Sequence, residues 1–188
     1  MNLAPDDCTA LLEIARRAIR GVLSGVDAPP LAPASTRLQE PGGCFVSLHE
    51  VRTRRLRGCV GRLDAGDVIW LAVHQTAISA LSDPRFASLP LAMNDLPTMD
   101  LEITLVSKLT AADDVLSFAP LVHGIYLTIE HQSACFLPQV ARDTGWTREQ
   151  LLERLCTEKL GVRADAWRGP DAKLETFTTQ IIGPEPFA

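Results

Sequence analysis

Apolar positions recur every three or four residues from Asp7 to Leu23. Leu11, Leu12, Ile14, Ala15, Ala18, Ile19 and Val22 share one side, and Arg16, Arg17 and Arg20 line the other. That spacing predicts an amphipathic helix, with Asp6 and Asp7 as N-cap and first-turn acids. Gly25 to Pro41 contains Pro29, Pro30, Pro33 and Pro41. Prolines at this density exclude helix and inner strand and predict an extended connector. Cys44 to Leu48 and Leu56 to Leu63 read as two strands, joined into a hairpin by the charged turn Glu50 to Arg54. A second helix runs from an Asp67 cap to about Leu81. It is apolar nearly all round, which predicts burial, and Asp83-Pro84 stops it.

Met99 to Leu109 alternates. Met99, Leu101, Ile103 and Leu105 point one way and Asp100, Glu102 and Thr104 the other, the pattern of a half-buried strand. Gly124 to Glu130 and Ala134 to Leu137 flank His131-Gln132-Ser133 as a second hairpin. Thr147 and Gln150 form a capping box. The helix they open carries Leu151, Leu152, Leu155, Cys156 and Leu160 and ends at Gly161. A last strand runs from Lys173 to Ile182. Because the strands arrive as hairpins and not as βαβ units, the expected fold class is α+β, a mainly antiparallel sheet packed with helices. A chain of 188 residues suits one domain, or one domain with two lobes.

Composition narrows the function. A net charge of −5 lacks the basic footprint that grips phosphate backbones, so nucleic acid is not the expected partner. No run approaches the roughly 18 apolar residues of a membrane span. The first seven residues carry two acids and no base, unlike a secretory signal. The five cysteines are odd in number and lack a Cys-x-x-Cys spacing, which fits free thiols in a reducing cytoplasm. Neither a metal-ligand grouping nor a dinucleotide or phosphate loop is present in the sequence, so no metal or cofactor is expected.

Leu56-Arg57-Gly58-Cys59-Val60-Gly61 resembles the Leu-Arg-Gly-Cys-Ile-Gly signature of the AMMECR-type domain family, whose prokaryotic members are called protein A of the AmmeMemoRadiSam systems. Asp83-Pro84-Arg85-Phe86, Asp100-Leu101-Glu102-Ile103, His123-Gly124, Phe136-Leu137-Pro138-Gln139-Val140, Leu155-Cys156 and Ala166-Trp167 follow in the family's order. The resemblance covers about Leu11 to Ile182, so residues 1–188 read as a single AMMECR-type domain. Val60 in place of Ile, Cys44 and the pair Ile125-Tyr126 depart from the pattern. The resemblance implies a larger and a smaller lobe around a cleft, and an association with a Memo-type protein and a radical-SAM protein. It implies no reaction, so function has to come from the site.

In an extended strand Arg57, Cys59 and Gly61 share one face, and Leu56, Gly58 and Val60 the other. Gly58 and Gly61 leave backbone uncovered for a ligand or another chain segment. Arg57 suits a carboxylate or phosphate, and a cation beside Cys59 favours a thiolate nucleophile. The competing readings are a strand bulge, a small buried cysteine and a structural ion pair. A nucleophile needs a base. Of the four histidines, His74 reads as a satisfied core residue, His131 as a solvated hairpin tip and His49 as a strand end, which leaves His123. Glu102 is the candidate acid or base, against a structural salt bridge. Asp83 to Phe86 reads first as helix termination, with Arg85 as an alternative ligand contact. The run Arg52, Arg54 and Arg55 reads as a solvated turn. Two functions follow: an enzyme component binding a small anionic metabolite, or a protein-binding module using the same surface.

Overall fold

The computed structural model describes residues 2–26, 29–30, 32–63 and 66–187. The chain forms two compact units, one of Met1–Lys108 with Gln180–Ala188 and one of Leu109–Thr179.

In the first unit, α1 spans Pro5–Ser24. It starts two residues before the predicted Asp7, because Pro5 at the first position needs no hydrogen-bond partner for a missing N–H. It ends where Gly25 takes a left-handed φ of 69°. Arg16 corrects the predicted polar side: it is only 8% exposed, and it bonds Glu13, Glu185 and the Pro186 carbonyl. Residues 27, 28 and 31 of the Pro-rich connector lie outside the described residues; among the rest a 3-10 turn, Thr36–Gln39, buries Leu38. β1 (Gly43–Glu50) and β2 (Leu56–Arg62) form the predicted hairpin. α2 spans Ile69–Ala80. Asp67 does not cap it, because Arg62 Nη2 donates to its carboxylate at 2.8 Å and Val68 takes the cap position.

β3 (Met99–Val106) is shorter than predicted, and on its polar face Asp100 and Thr104 are buried while Glu102 between them is partly exposed. Alternation reports which face is polar and not whether anything lies over it. β8 (Thr179–Pro186) completes a sheet of order β2-β1-β3-β8. One face of this sheet packs Val46, Leu48, Leu101 and Ile103 into a core with Leu11, Ile19 and Val73 of the helices.

The second unit holds β4 (Thr110–Ala111), β5 (Gly124–Ile129), β6 (Gln132–Phe136) and β7 (Ala172–Phe177), in the order β4-β7-β5-β6. The β5–β6 turn is tighter than predicted: Glu130, at φ 54°, and His131 alone make it. Helix α3 spans Pro138–Thr144. α4 spans Arg148–Arg154 and runs on as a π-helical turn, Leu155–Leu160, to Gly161. Its capping box is as predicted, with Gln150 N–H donating to Thr147 and Thr147 N–H to Gln150. Leu127, Leu152, Leu155 and Trp167 form this unit's core. The predicted final strand, Lys173 to Ile182, is in fact β7 and β8, one in each sheet. Phe177 and Ile182 are buried in different units, so the uniform β pattern concealed a change of sheet.

Glycine 58 sets how closely the first sheet meets α2. A Cβ there would lie 2.3 Å from the backbone carbonyl oxygen of Ala80. Backbone cannot yield as a flexible side chain can, so Gly58→Ala is expected to destabilise the protein by about 2 kcal/mol. Gly66→Ala, whose Cβ would meet open space, should stay within about 0.5 kcal/mol. Urea denaturation of the two variants checks both values.

Candidate functional site

Register decides which polar residues meet. Ser47 of β1 pairs with Cys59 of β2 on one side and with Glu102 of β3 on the other. Thiol, hydroxyl and carboxyl therefore stand in one row across three strands, a span of about 10 Å. Ser47 Oγ donates to Cys59 Sγ at 3.1 Å. The adjoining rows place Phe45 between Gly61 and Thr104, and His49 beside Asp100. This face lies opposite the helix-packed core.

Charge is distributed unevenly over the row. Burial holds the Glu102 carboxyl above the ordinary glutamate value, with the nearby Arg54 charge opposing it. Burial, then Arg54, hold His49 below the ordinary histidine value, and Asp100 opposes them. His49 Nδ1 is buried without a hydrogen bond among the described residues. Arg54 itself adopts a left-handed φ of 58° and bonds the buried Asp100. Of the arginine turn expected to be solvated, Arg52 is exposed, whereas Arg54 pairs with Asp100 and Arg55 reaches Glu50.

Beside Cys59 stands a second arginine. Asp83, 4% exposed, accepts the Cys59 N–H at 2.9 Å. Arg85 grips the same carboxylate, through Nε at 3.1 Å and Nη2 at 2.7 Å, and Nη2 also donates to the Cys59 carbonyl at 2.8 Å. Asp83 and Arg85 together satisfy the outer edge of β2 at Cys59 much as another strand would. The Arg85 side chain remains 58% exposed. Its charge is favoured first by Asp83 and also by Cys59.

The other expected residues lie elsewhere or are already engaged. Arg57 is buried, with Nη1 on Glu50 at 3.1 Å and Nη2 on the Leu89 carbonyl at 3.2 Å. It serves the structural pair that the sequence left open, and not a free anion clamp. Arg57 is also the extra residue where the β1–β2 register shifts, so strict alternation with Cys59 breaks there. Gly58 receives the Ala80 carbonyl and Gly61 the Phe45 ring, so chain segments, not ligands, take the space a side chain would need. His123 belongs to the second unit, where its Nδ1 accepts the Ala119 N–H at 3.2 Å and closes a loop. Sequence reading overlooked Ser47. The alternation of Phe45, Ser47 and His49 along β1 marks that face, but only pairing shows that Ser47 separates Cys59 from Glu102. Among the described residues no three metal-ligating side chains converge, and no helix is long and apolar enough to cross a membrane.

The AMMECR1 family model matches residues 12–182. A protein of Thermofilum pendens is 33% identical, covering 96% of this chain and 91% of its own. One from Methanopyrus kandleri is 29% identical, covering 93% and 87%. The crystal structure of the uncharacterized protein PH0010 from Pyrococcus horikoshii is similar at a TM-score of 0.81 and 28% identity, covering 91% of this chain and 88% of that one.

Arg85, with the Cys59 and Arg85 N–H groups, holds the Asp83 pKa at about 2, below its ordinary 3.8. A depressed carboxyl stabilises the fold above its unfolded value and loses that contribution as pH falls through the folded one. The wild type should therefore lose a component of stability between pH 3.8 and about 2. Asp83→Asn should lack that component and be about 2 kcal/mol less stable at neutral pH, having lost charged hydrogen bonds. Denaturation midpoints measured across this pH window test both statements.

Proposed function

The chain belongs to the AMMECR1 family, and we propose that it is a component of an enzyme system that binds a small anionic metabolite on the polar face of its first sheet. The observation that carries this reading is the row of Cys59, Ser47 and Glu102 across adjacent strands. Half-exposed Arg85 beside Cys59 and half-exposed Arg54 near Glu102 bring positive charge to both ends of the row. A ligand with carboxylate or phosphate oxygens would meet a guanidinium at either end. Each guanidinium is backed by a buried aspartate, which fixes its position.

The chemistry available to such a ligand is nucleophilic and acid–base. Cys59 supplies the nucleophile, and the Ser47 hydroxyl orients its sulfur. Glu102, with its raised pKa, is suited to give or take a proton at the far end. His49, kept neutral by burial and Arg54, is the histidine on this face. Family resemblance adds the setting of a cytoplasmic system with a Memo-type and a radical-SAM protein as partners. The alternative, a protein-docking module anchored by Arg57, is weakened because Arg57 is buried against Glu50 and Leu89.

Two outcomes are expected. Burial raises the pKa of Cys8, Cys44, Cys135 and Cys156, so iodoacetamide at mildly acidic pH should modify Cys59 first, read by peptide mass mapping. Cys59→Ala and Glu102→Gln should each fold like the parent yet fail to complement a deletion strain. Full complementation by both variants would sink the proposal.

A further inference from the structure

The loop before β5 presents two apolar side chains on a fixed turn. Phe118 anchors it in the second unit's core. Leu121, by contrast, is 61% exposed and Val122 54%. The backbone between Phe118 and His123 is tied from several sides. The Ala119 carbonyl accepts the Val122 N–H at 3.0 Å and the His123 N–H at 2.8 Å. His123 Nδ1 in turn accepts the Ala119 N–H. Arg148 Nε donates to the Phe118 carbonyl at 2.6 Å, and Arg142 Nε to the Leu121 carbonyl at 3.2 Å. A single exposed aliphatic residue is ordinary. Two adjacent ones on a turn held this closely form a preorganised knob, which loses little entropy on docking. The guanidinia of Arg142 and Arg148 flank it, exposed and without an ion pair among the described residues. Of the acids next to them in sequence, Glu149 accepts the Thr147 hydroxyl at its own helix start. Asp143 follows Arg142 about 100° round α3.

The same unit carries a hollow of complementary character, about 610 Å³, where the turn after β4 meets β7. Ala111, Val115 and Leu174 give it apolar walls. Asp113, Asp114 and Glu175 line it with Lys173, three carboxylates against one ammonium. None of these four forms an ion pair among the described residues. Gly124 opens β5 soon after the knob, and Thr128 further along the strand lines the hollow. Knob and hollow therefore lie on the order of 13 Å apart along one strand.

We propose that two copies of this chain associate through these surfaces, the Leu121–Val122 knob of each seating in the Asp113–Glu175 hollow of the other. Apolar side chains meet apolar walls, and Arg142 and Arg148 meet carboxylates in excess. The chain supplies both halves of the match, and a second copy is therefore the occupant. Because each copy carries both surfaces, reciprocal exchange closes at two copies and leaves neither surface unused. The assignment draws on the second unit alone and does not depend on the row of Cys59, Ser47 and Glu102.

Sedimentation equilibrium of the full chain, from micromolar to millimolar loading, tests it. The expected mass is twice the 20.5 kDa of one chain. Raising NaCl to about 0.5 M should weaken association several-fold, since exposed charge pairs are screened. Leu121→Ser keeps the loop contacts, which use the backbone, and should weaken association about tenfold or more. Arg142→Glu with Arg148→Glu should give a monomer, and so should Asp113→Lys with Glu175→Lys, each with its fold checked by circular dichroism. Mixing these two reversed proteins should restore dimers, because an acidic knob then meets a basic hollow one way and the native pair meets the other way. Cys59→Ala should associate like the parent, which separates this interface from the sheet face. A monomeric parent would leave the knob to a different partner and overturn the assignment. So would an unchanged Leu121→Ser variant, or reversed proteins that stay apart when mixed.

Discussion

β1 is paired along both of its edges, and the organisation of the first unit depends on that double pairing. A central strand has no freedom of register once one face is buried, because a slip of one residue would turn Val46 and Leu48 out of the core. The same constraint that places those side chains against α1 and α2 places Phe45, Ser47 and His49 on the opposite face. Ser47 is thereby fixed between Cys59 and Glu102. The polar row follows from core packing, and the Ser47–Cys59 hydrogen bond with the Asp83–Arg85 pair on the Cys59 backbone braces it further.

The charged residues around the signature hexapeptide serve mostly to hold this arrangement. Arg57 reaches Glu50 and the Leu89 carbonyl, and Asp83 with Arg85 satisfies the exposed backbone of β2 at Cys59. An unpaired edge invites another strand, so a side-chain pair that occupies it protects the sheet. Arg85 differs from Arg57 in keeping much of its side chain in solvent. One arginine of the two signatures is spent on the fold, and the other both braces the strand and faces outward.

The sheet face of the first unit offers a thiol, a hydroxyl, a carboxyl and two guanidinia, each braced by an aspartate. That combination suits polar chemistry on a small anion. The second unit's helices and sheet enclose a core of their own around Trp167 and Leu127.

Helices, hairpins and the capping box at Thr147 were legible in the sequence because each is written in local periodicity or in residues a few positions apart. The ordered motifs were legible too, and they carried the family. Three kinds of feature were not. How far each residue on the polar face of β3 is buried, Asp100 and Thr104 fully and Glu102 in part, depends on what lies beside it, and alternation is silent on that. The division of the last strand between two sheets depends on which core receives Phe177 and which receives Ile182. The contacts of Arg57 with the Leu89 carbonyl and of Arg85 with the Cys59 carbonyl join segments distant in the chain. Local sequence determined the elements and which faces of them are polar. Only tertiary structure decided which polar groups meet, because hydrogen bonds and ion pairs form by proximity in space, and that proximity is set by the register of β1.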